Sequence, residues 1–105
     1  MTVTHILYVD DLREPNMSSY DNNFNVIFIA RTYDNAISEL TKHKYDILDL
    51  DHDLGEDKTG YDICKYIVEH NIKFKTIFIH TANPVGRDNM VNILKRYTKS
   101  NIIIY

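Results

Sequence analysis

Residues 45–53, YDILDLDHD, run from an apolar segment directly into a group of acids and a histidine. A short apolar run of this kind is typical of a strand that is buried on both faces of a parallel sheet. Similar runs occur at four other places: HILYV at 5–9, NVIFIA at 25–30, TIFIH at 76–80 and NIIIY at 101–105. Together with YDILDL at 45–50, they predict five strands.

The segments between the later strands have the spacing of amphipathic helices. Apolar residues recur on one stripe in 33–43, 60–70 and 86–98, with polar residues opposite. Strands that alternate with helices predict an α/β fold with an open, parallel sheet. We expect one domain over residues 1–105.

The connection between the first two predicted strands is irregular. It contains Pro15 and many turn-forming residues, and it shows little helical periodicity. A parallel crossover needs a dozen or more residues, so a reduced first helix over PNMSSY, 15–20, is the best match.

Composition excludes several classes of protein. With 105 residues, 44% hydrophobic and 26% charged, the sequence resembles a folded globular domain. Its formal charge of −3 provides no basic field for a long nucleic-acid duplex. A single cysteine excludes an internal disulfide. Neither a leader nor a membrane-spanning segment is recognisable, so we expect a cytoplasmic protein without a membrane partner.

Chemically active side chains follow three of the predicted strands. Asp10 and Asp11 follow the first, Asp51, His52 and Asp53 the third, and His80, Thr81 and Asn83 the fourth. The carboxyl ends of parallel strands lie at one edge of a sheet, where ligands bind. With the strand order 2-1-3-4-5, these groups share one crevice.

Clustered carboxylates without neighbouring cations favour a divalent metal ion. Asp10, Asp11 and Asp51 are expected to bind Mg²⁺ or Mn²⁺, since these ions prefer oxygen ligands. Asp53 is either a fourth ligand or a brace within its loop. His52 and His80 are candidate catalytic acids or bases beside the metal, although a structural role is possible for each. Asp49 lies within the third predicted strand, and the sequence offers no account of it.

An anion site is expected next to the metal. Asn83 caps a helix that begins at Pro84 or closer to Gly86, and backbone N–H groups at a helix N-terminus bind phosphate. Gly86 allows close approach of an anion, and the side chains of Thr81, Arg87 and Arg13 are further candidate phosphate ligands.

These motifs resemble a known superfamily. VDD after the first strand, the acid after the third and HTA after the fourth are similar to the receiver domains of two-component signalling. The resemblance implies that Asp51 corresponds to the phosphate-accepting residue and Thr81 to the switch hydroxyl. The lysine that receivers carry at the end of strand five is absent, since NIIIY stands there.

The combination of DDLREP, LDHDLG, TGYD and HTANPVGRDNM is more similar to a receiver-like family, the cyclic-phosphate-processing receiver domains. Membership implies a flavodoxin-like fold and an enzyme that acts on the cyclic phosphate of a nucleotide or of an RNA end.

We therefore expect a metal-dependent phosphodiesterase that uses Asp51, His52 and His80. The alternatives are a signalling module phosphorylated on Asp51, a protein that sequesters a cyclic nucleotide, and a haloacid-dehalogenase-like use of Asp51 as nucleophile and Asp53 as acid. The last ranks lowest, because that family's first motif follows its first strand. The strand NIIIY is a possible edge for a homodimer.

Overall fold

The computed structural model describes residues 3–16, 20 and 24–105. Its five strands form one parallel sheet in the order β2-β1-β3-β4-β5, which confirms the predicted receiver-like topology. The strands are β1 (Thr4–Val9), β2 (Asn25–Ala30), β3 (Ile47–Leu50), β4 (Thr76–Ile79) and β5 (Asn101–Ile104).

The register of the strands brings their carboxyl ends level with one another. Val9 pairs with Leu50, Leu50 with Ile79, and Ile79 with Ile104. The residues that follow, Asp10, Asp51, His80 and Tyr105, therefore form one row along the edge of the sheet.

The three helices of the described residues are α1 (Tyr33–Lys42), α2 (Gly60–Glu69) and α3 (Pro84–Tyr97). Each begins after a capping side chain: Thr32, Thr59 or Asn83. Of the two predicted starts for the third helix, the earlier one is observed. Pro84 fits the first helical position because a backbone N–H is not needed there.

The larger part of the core lies between one face of the sheet and the helices. This cluster contains buried side chains of β1, β3 and β4 together with buried side chains from all three helices. A smaller cluster on the other face consists of Ile6, Tyr20 and Phe78. Side chains alternate between the two faces of a strand, so Tyr8, Asp49 and His80 share the face of the smaller cluster.

The predicted reduced helix at 15–20 includes residues 17–19, which lie outside the described residues. Tyr20 is buried. Within the described part of the chain, none of the helices has the length and apolar character needed to cross a membrane.

Candidate functional site at the carboxyl edge of the sheet

Asp49 lies at the centre of a buried polar network that the sequence did not predict. Its side chain is fully buried in β3. The Tyr20 hydroxyl donates a hydrogen bond to its Oδ2 at 2.6 Å, and the Tyr105 hydroxyl donates to the same oxygen. Its Oδ1 pairs with Nδ1 of His80. The carboxylate thus has partners on both oxygens, as burial of a charge requires.

His80 bridges two carboxylates. Its Nε2 lies 3.0 Å from Oδ2 of Asp10, while its Nδ1 faces Asp49. The ring stacks on Tyr8, with 4.9 Å between centroids and 6° between planes. Burial alone would lower the pKa of His80, but the hydrogen bonds and charge of Asp49, together with Asp10, outweigh it and raise the pKa. An imidazolium that donates from both nitrogens satisfies this geometry.

Asp10 is fixed by the chain that follows it. Its Oδ1 accepts hydrogen bonds from the N–H groups of Leu12 and Arg13, both at 2.9 Å. Burial acts to raise the pKa of Asp10, but the two N–H groups and His80 reverse that effect, and the pKa lies below its ordinary value. Asp10 is therefore held as a carboxylate.

The ionised form of Asp51 is less favourable than that of Asp10. Its Oδ1 accepts a hydrogen bond from the His52 N–H at 2.7 Å, and the Thr81 hydroxyl also hydrogen-bonds to the side chain. Burial nevertheless raises the pKa of Asp51, and the charge of Asp10 adds to the effect. A nearby cation would relieve this cost.

Asp10, Asp51 and His80 fit a divalent cation. Each offers one ligand atom, these atoms lie within 4.8 Å of one another, and all three residues are buried. Two carboxylates and one imidazole form a donor set dominated by oxygen, which matches hard divalent ions. His80 would contribute to such a set only as a neutral ring, since a nitrogen that carries a proton cannot bind a metal.

Asp11 and Asp53, the other predicted ligands, lie outside this group of three. Asp11 is half-buried against Gly55, where an added Cβ would come within 2.9 Å of its Oδ2. Gly55 has a φ of 69°, a conformation that favours glycine. Asp53 is exposed and pairs with His52.

His52 is oriented by three contacts. Its Nδ1 lies 2.9 Å from Oδ1 of Asp53 and 3.4 Å from Nδ2 of Asn83. Its ring packs so closely on α3 that a Cβ added to Gly86 would lie 2.4 Å from the ring. The hydrogen bond from His52 lowers the pKa of Asp53. No group in the described ranges hydrogen-bonds to Nε2 of His52, so that nitrogen is available for proton transfer.

The predicted phosphate ligands lie in the loop after β1, in the turn after β4 and in the first turns of α3. Thr81 accepts a hydrogen bond from the Asn83 N–H at 3.1 Å, and Oδ1 of Asn83 accepts from the Gly86 N–H at 2.9 Å. Arg87 lies in the first turns of α3, where its Nε is 3.4 Å from Asp88. Arg13 is exposed in the loop after β1.

Comparisons with known proteins agree with this architecture. A family model described as "Cyclic-phosphate processing Receiver domain" matches residues 5–96. The chain belongs to the cyclic-phosphate processing receiver domain family. No curated protein matches the sequence.

Solved structures show the same receiver fold. The signal receiver domain of a putative LuxO repressor protein from Vibrio parahaemolyticus is 21% identical, with a TM-score of 0.70 over 98% of this chain and 78% of that chain. The response regulator TrrA from Thermotoga maritima, in complex with Mg²⁺ and BeF, is 20% identical, with a TM-score of 0.65 over 96% and 86%.

A third similar structure is a response regulator from Burkholderia pseudomallei with a phosphorylated aspartic acid, a calcium ion and citrate. It is 14% identical, with a TM-score of 0.66 over 96% of this chain and 58% of that chain. This chain thus spans less than two thirds of that protein.

Two parts of this receiver-family site were missed by sequence reasoning. The Asp49 network was missed because its tyrosines come from distant segments. Its one sequence signal is an acid two residues before Asp51, which places both on the same face of a strand. Arg31, directly after β2, was also missed. It donates to the carbonyl oxygens of Arg13 at 2.6 Å and Asp10 at 3.2 Å, and it pairs with Glu14.

Proposed function

We propose that this protein is a metal-dependent phosphoesterase that opens the cyclic phosphate of a nucleotide or of an RNA end. The observation that carries the proposal is the pair of buried carboxylates, Asp10 and Asp51, which lie with His80 at the carboxyl edge of the sheet. Its occurrence in a family named for cyclic-phosphate processing supports this reaction class.

Asp10 and Asp51 are the proposed ligands of Mg²⁺ or Mn²⁺. When bound, such an ion polarises a phosphoryl oxygen and neutralises developing charge. Burial is the main cause of the raised pKa of Asp51, and a bound cation would stabilise its ionised form. Asp11 remains a candidate ligand through water, because it lies half-buried directly after Asp10.

His52 is the proposed proton-transfer residue. Asp53 fixes the ring through Nδ1, which leaves Nε2 to take a proton from water. A bond forms between the water oxygen and phosphorus, one bond between phosphorus and a ribose oxygen breaks, and that oxygen receives the proton that His52 took from the water. The product is a phosphate monoester that has gained one water.

His80 has a different proposed role. Both of its nitrogens contact carboxylates, so its contacts favour a positioning group that balances the charges of Asp10 and Asp49. His80 could protonate the leaving oxygen only if the contact between its Nε2 and Asp10 were broken. Thr81, Asn83 and the N–H groups near Gly86 are proposed to bind the phosphate, with Arg13 reaching it from the loop after β1 and Arg87 from α3.

The proposed substrates are small or single-stranded. A net charge of −3 gives no support for binding along a duplex. We also propose a cytoplasmic location, without a membrane partner.

One observation favours a second function. The Thr81 hydroxyl contacts Asp51, and one similar structure carries a phosphorylated aspartic acid. A signalling module would accept a phosphoryl group on Asp51 from a small phosphodonor. At the end of β5, where receivers carry a lysine, Tyr105 contacts Asp49 instead.

The test is incubation of the purified protein with a panel of 2′,3′- and 3′,5′-cyclic mono- and oligonucleotides in Mg²⁺, Mn²⁺ or EDTA. Mass spectrometry reads the products. Metal-dependent gain of one water supports the phosphoesterase. Intact bound ligand indicates sequestration, and labelling of Asp51 by acetyl phosphate without hydrolysis of any cyclic phosphate indicates signalling.

A further inference from the structure

Two apolar side chains at the edge of the candidate site are unusually exposed. Leu12 is 82% exposed and Val85 is 71% exposed, the highest values among the large hydrophobic residues of the described chain. Scattered apolar residues on a surface need no explanation. These two, however, both follow strands whose ends carry the site, Leu12 in the loop after β1 and Val85 in the first turn of α3, and we call them the apolar rim.

The backbone at or beside each rim residue is fixed by a site residue. The Leu12 N–H donates to Asp10, two positions earlier. Val85 follows Asn83 by two positions and lies in the first turn of α3, which Asn83 caps. The exposed side chains therefore project from ordered backbone rather than from loose loop tips.

The rim flanks the crevice from two sides. Leu12 follows β1 and Val85 follows β4, and β3 with Asp51 lies between these strands. Strand neighbours are about 4.8 Å apart, so the ends of β1 and β4 lie about 10 Å from each other. The segment that follows β3 lies between them, with the His52 ring against Gly86 and Gly55 against Asp11, so a ligand at Asp51 would meet the rim at its outer side.

We propose that Leu12 and Val85 contact the base of a nucleoside cyclic phosphate, an inference that rests on the proposed function. Two side chains form too small a surface for a protein partner, since a specific interface buries about 800 Å² on each side. A nucleobase offers apolar faces of suitable size, and its phosphate would reach the acid and histidine groups. The rim thus selects nucleoside cyclic phosphates over cyclic phosphates that lack a base.

The test compares two ligands by calorimetry in EDTA and in Mg²⁺: adenosine 2′,3′-cyclic phosphate and the base-free glycerol 1,2-cyclic phosphate. The proteins are wild type, the Leu12→Ser/Val85→Ser double variant, and a Val26→Ser control. Val26 is 53% exposed on β2, away from the site. Circular dichroism checks that each variant is folded.

We expect wild type and Val26→Ser to bind the adenosine compound at least about tenfold more tightly than the base-free compound, and the double variant to lose this preference. An unchanged preference in the double variant, or no preference in wild type, overturns the rim proposal. A rim-dependent preference without hydrolysis upholds the rim and refutes the phosphoesterase. Hydrolysis of both compounds, together with equal affinity for them, refutes the rim and upholds the phosphoesterase.

Discussion

Nδ1 of His80 pairs with the carboxylate of Asp49, a residue 31 positions earlier in the chain. The contact joins β3 to the end of β4 beneath the candidate site. Because Nε2 of the same ring contacts Asp10, the buried network and the edge of the sheet form one connected unit.

Asp49→Ala is expected to destabilise the fold strongly. The substitution leaves His80 and the hydroxyls of Tyr20 and Tyr105 without their buried acceptor. Loss of one partner of a buried ion pair costs about 3 kcal/mol or more. Urea unfolding measures the change, with Asp57→Ala as an exposed control. A loss for Asp49→Ala no larger than that of the control would show that the network is not structural.

Stability is expected to depend on pH through His80. Its folded pKa is raised above the unfolded value of about 6.5, so its contribution is full below that pH and is lost as pH rises through the folded pKa. The free energy of unfolding of the metal-free protein should therefore fall from about pH 6.5 upward. His80→Gln should remove most of this fall, and equal slopes for both proteins would contradict the raised pKa.

Asp51→Asn is expected to stabilise the metal-free protein at neutral pH, by on the order of 1 kcal/mol. The reason is that burial, together with the charge of Asp10, disfavours the ionised carboxyl, as its raised pKa indicates. The same substitution should abolish stabilisation by Mg²⁺ or Mn²⁺. Wild type should gain about 2.7 kcal/mol at a metal concentration of 100 times Kd. Thermal unfolding with metal or EDTA measures both effects.

Equal metal responses in wild type and Asp51→Asn would remove Asp51 from the metal site. Asp57→Asn provides the matched control, because its carboxyl is exposed in the neighbouring loop.

Gly86→Ala is expected to reduce turnover without loss of folding. The new Cβ would lie 2.4 Å from the His52 ring and would displace it, whereas alanine is favoured over glycine within a helix. A displaced catalytic group costs about 100-fold in rate. Asn89→Ala, at an exposed position of α3, is the control, and His52→Ala gives the reference without the imidazole. Full activity of folded Gly86→Ala would show that turnover does not depend on the orientation of the His52 ring.

The sequence predicted the fold well because its strands are short apolar runs and its helices begin at capping residues. The convergence of Asp10, Asp51 and His80 followed from the topology alone, since parallel strands end at one edge. Asp49 escaped prediction because its partners depend on register and on which face each side chain occupies. Whether Asp53 contacts a metal or a neighbouring ring is likewise decided by loop conformation, which the sequence does not specify.

The most direct test of the account is a single turnover of a nucleoside 2′,3′-cyclic phosphate in ¹⁸O-labelled water, with Mg²⁺ or EDTA, read by mass spectrometry. The account predicts one ¹⁸O in the phosphate monoester, only with metal and not with Asp51→Asn. Label in the Asp51 carboxyl would contradict direct attack by water, and recovery of the intact cyclic phosphate from wild type with metal would contradict the hydrolase itself.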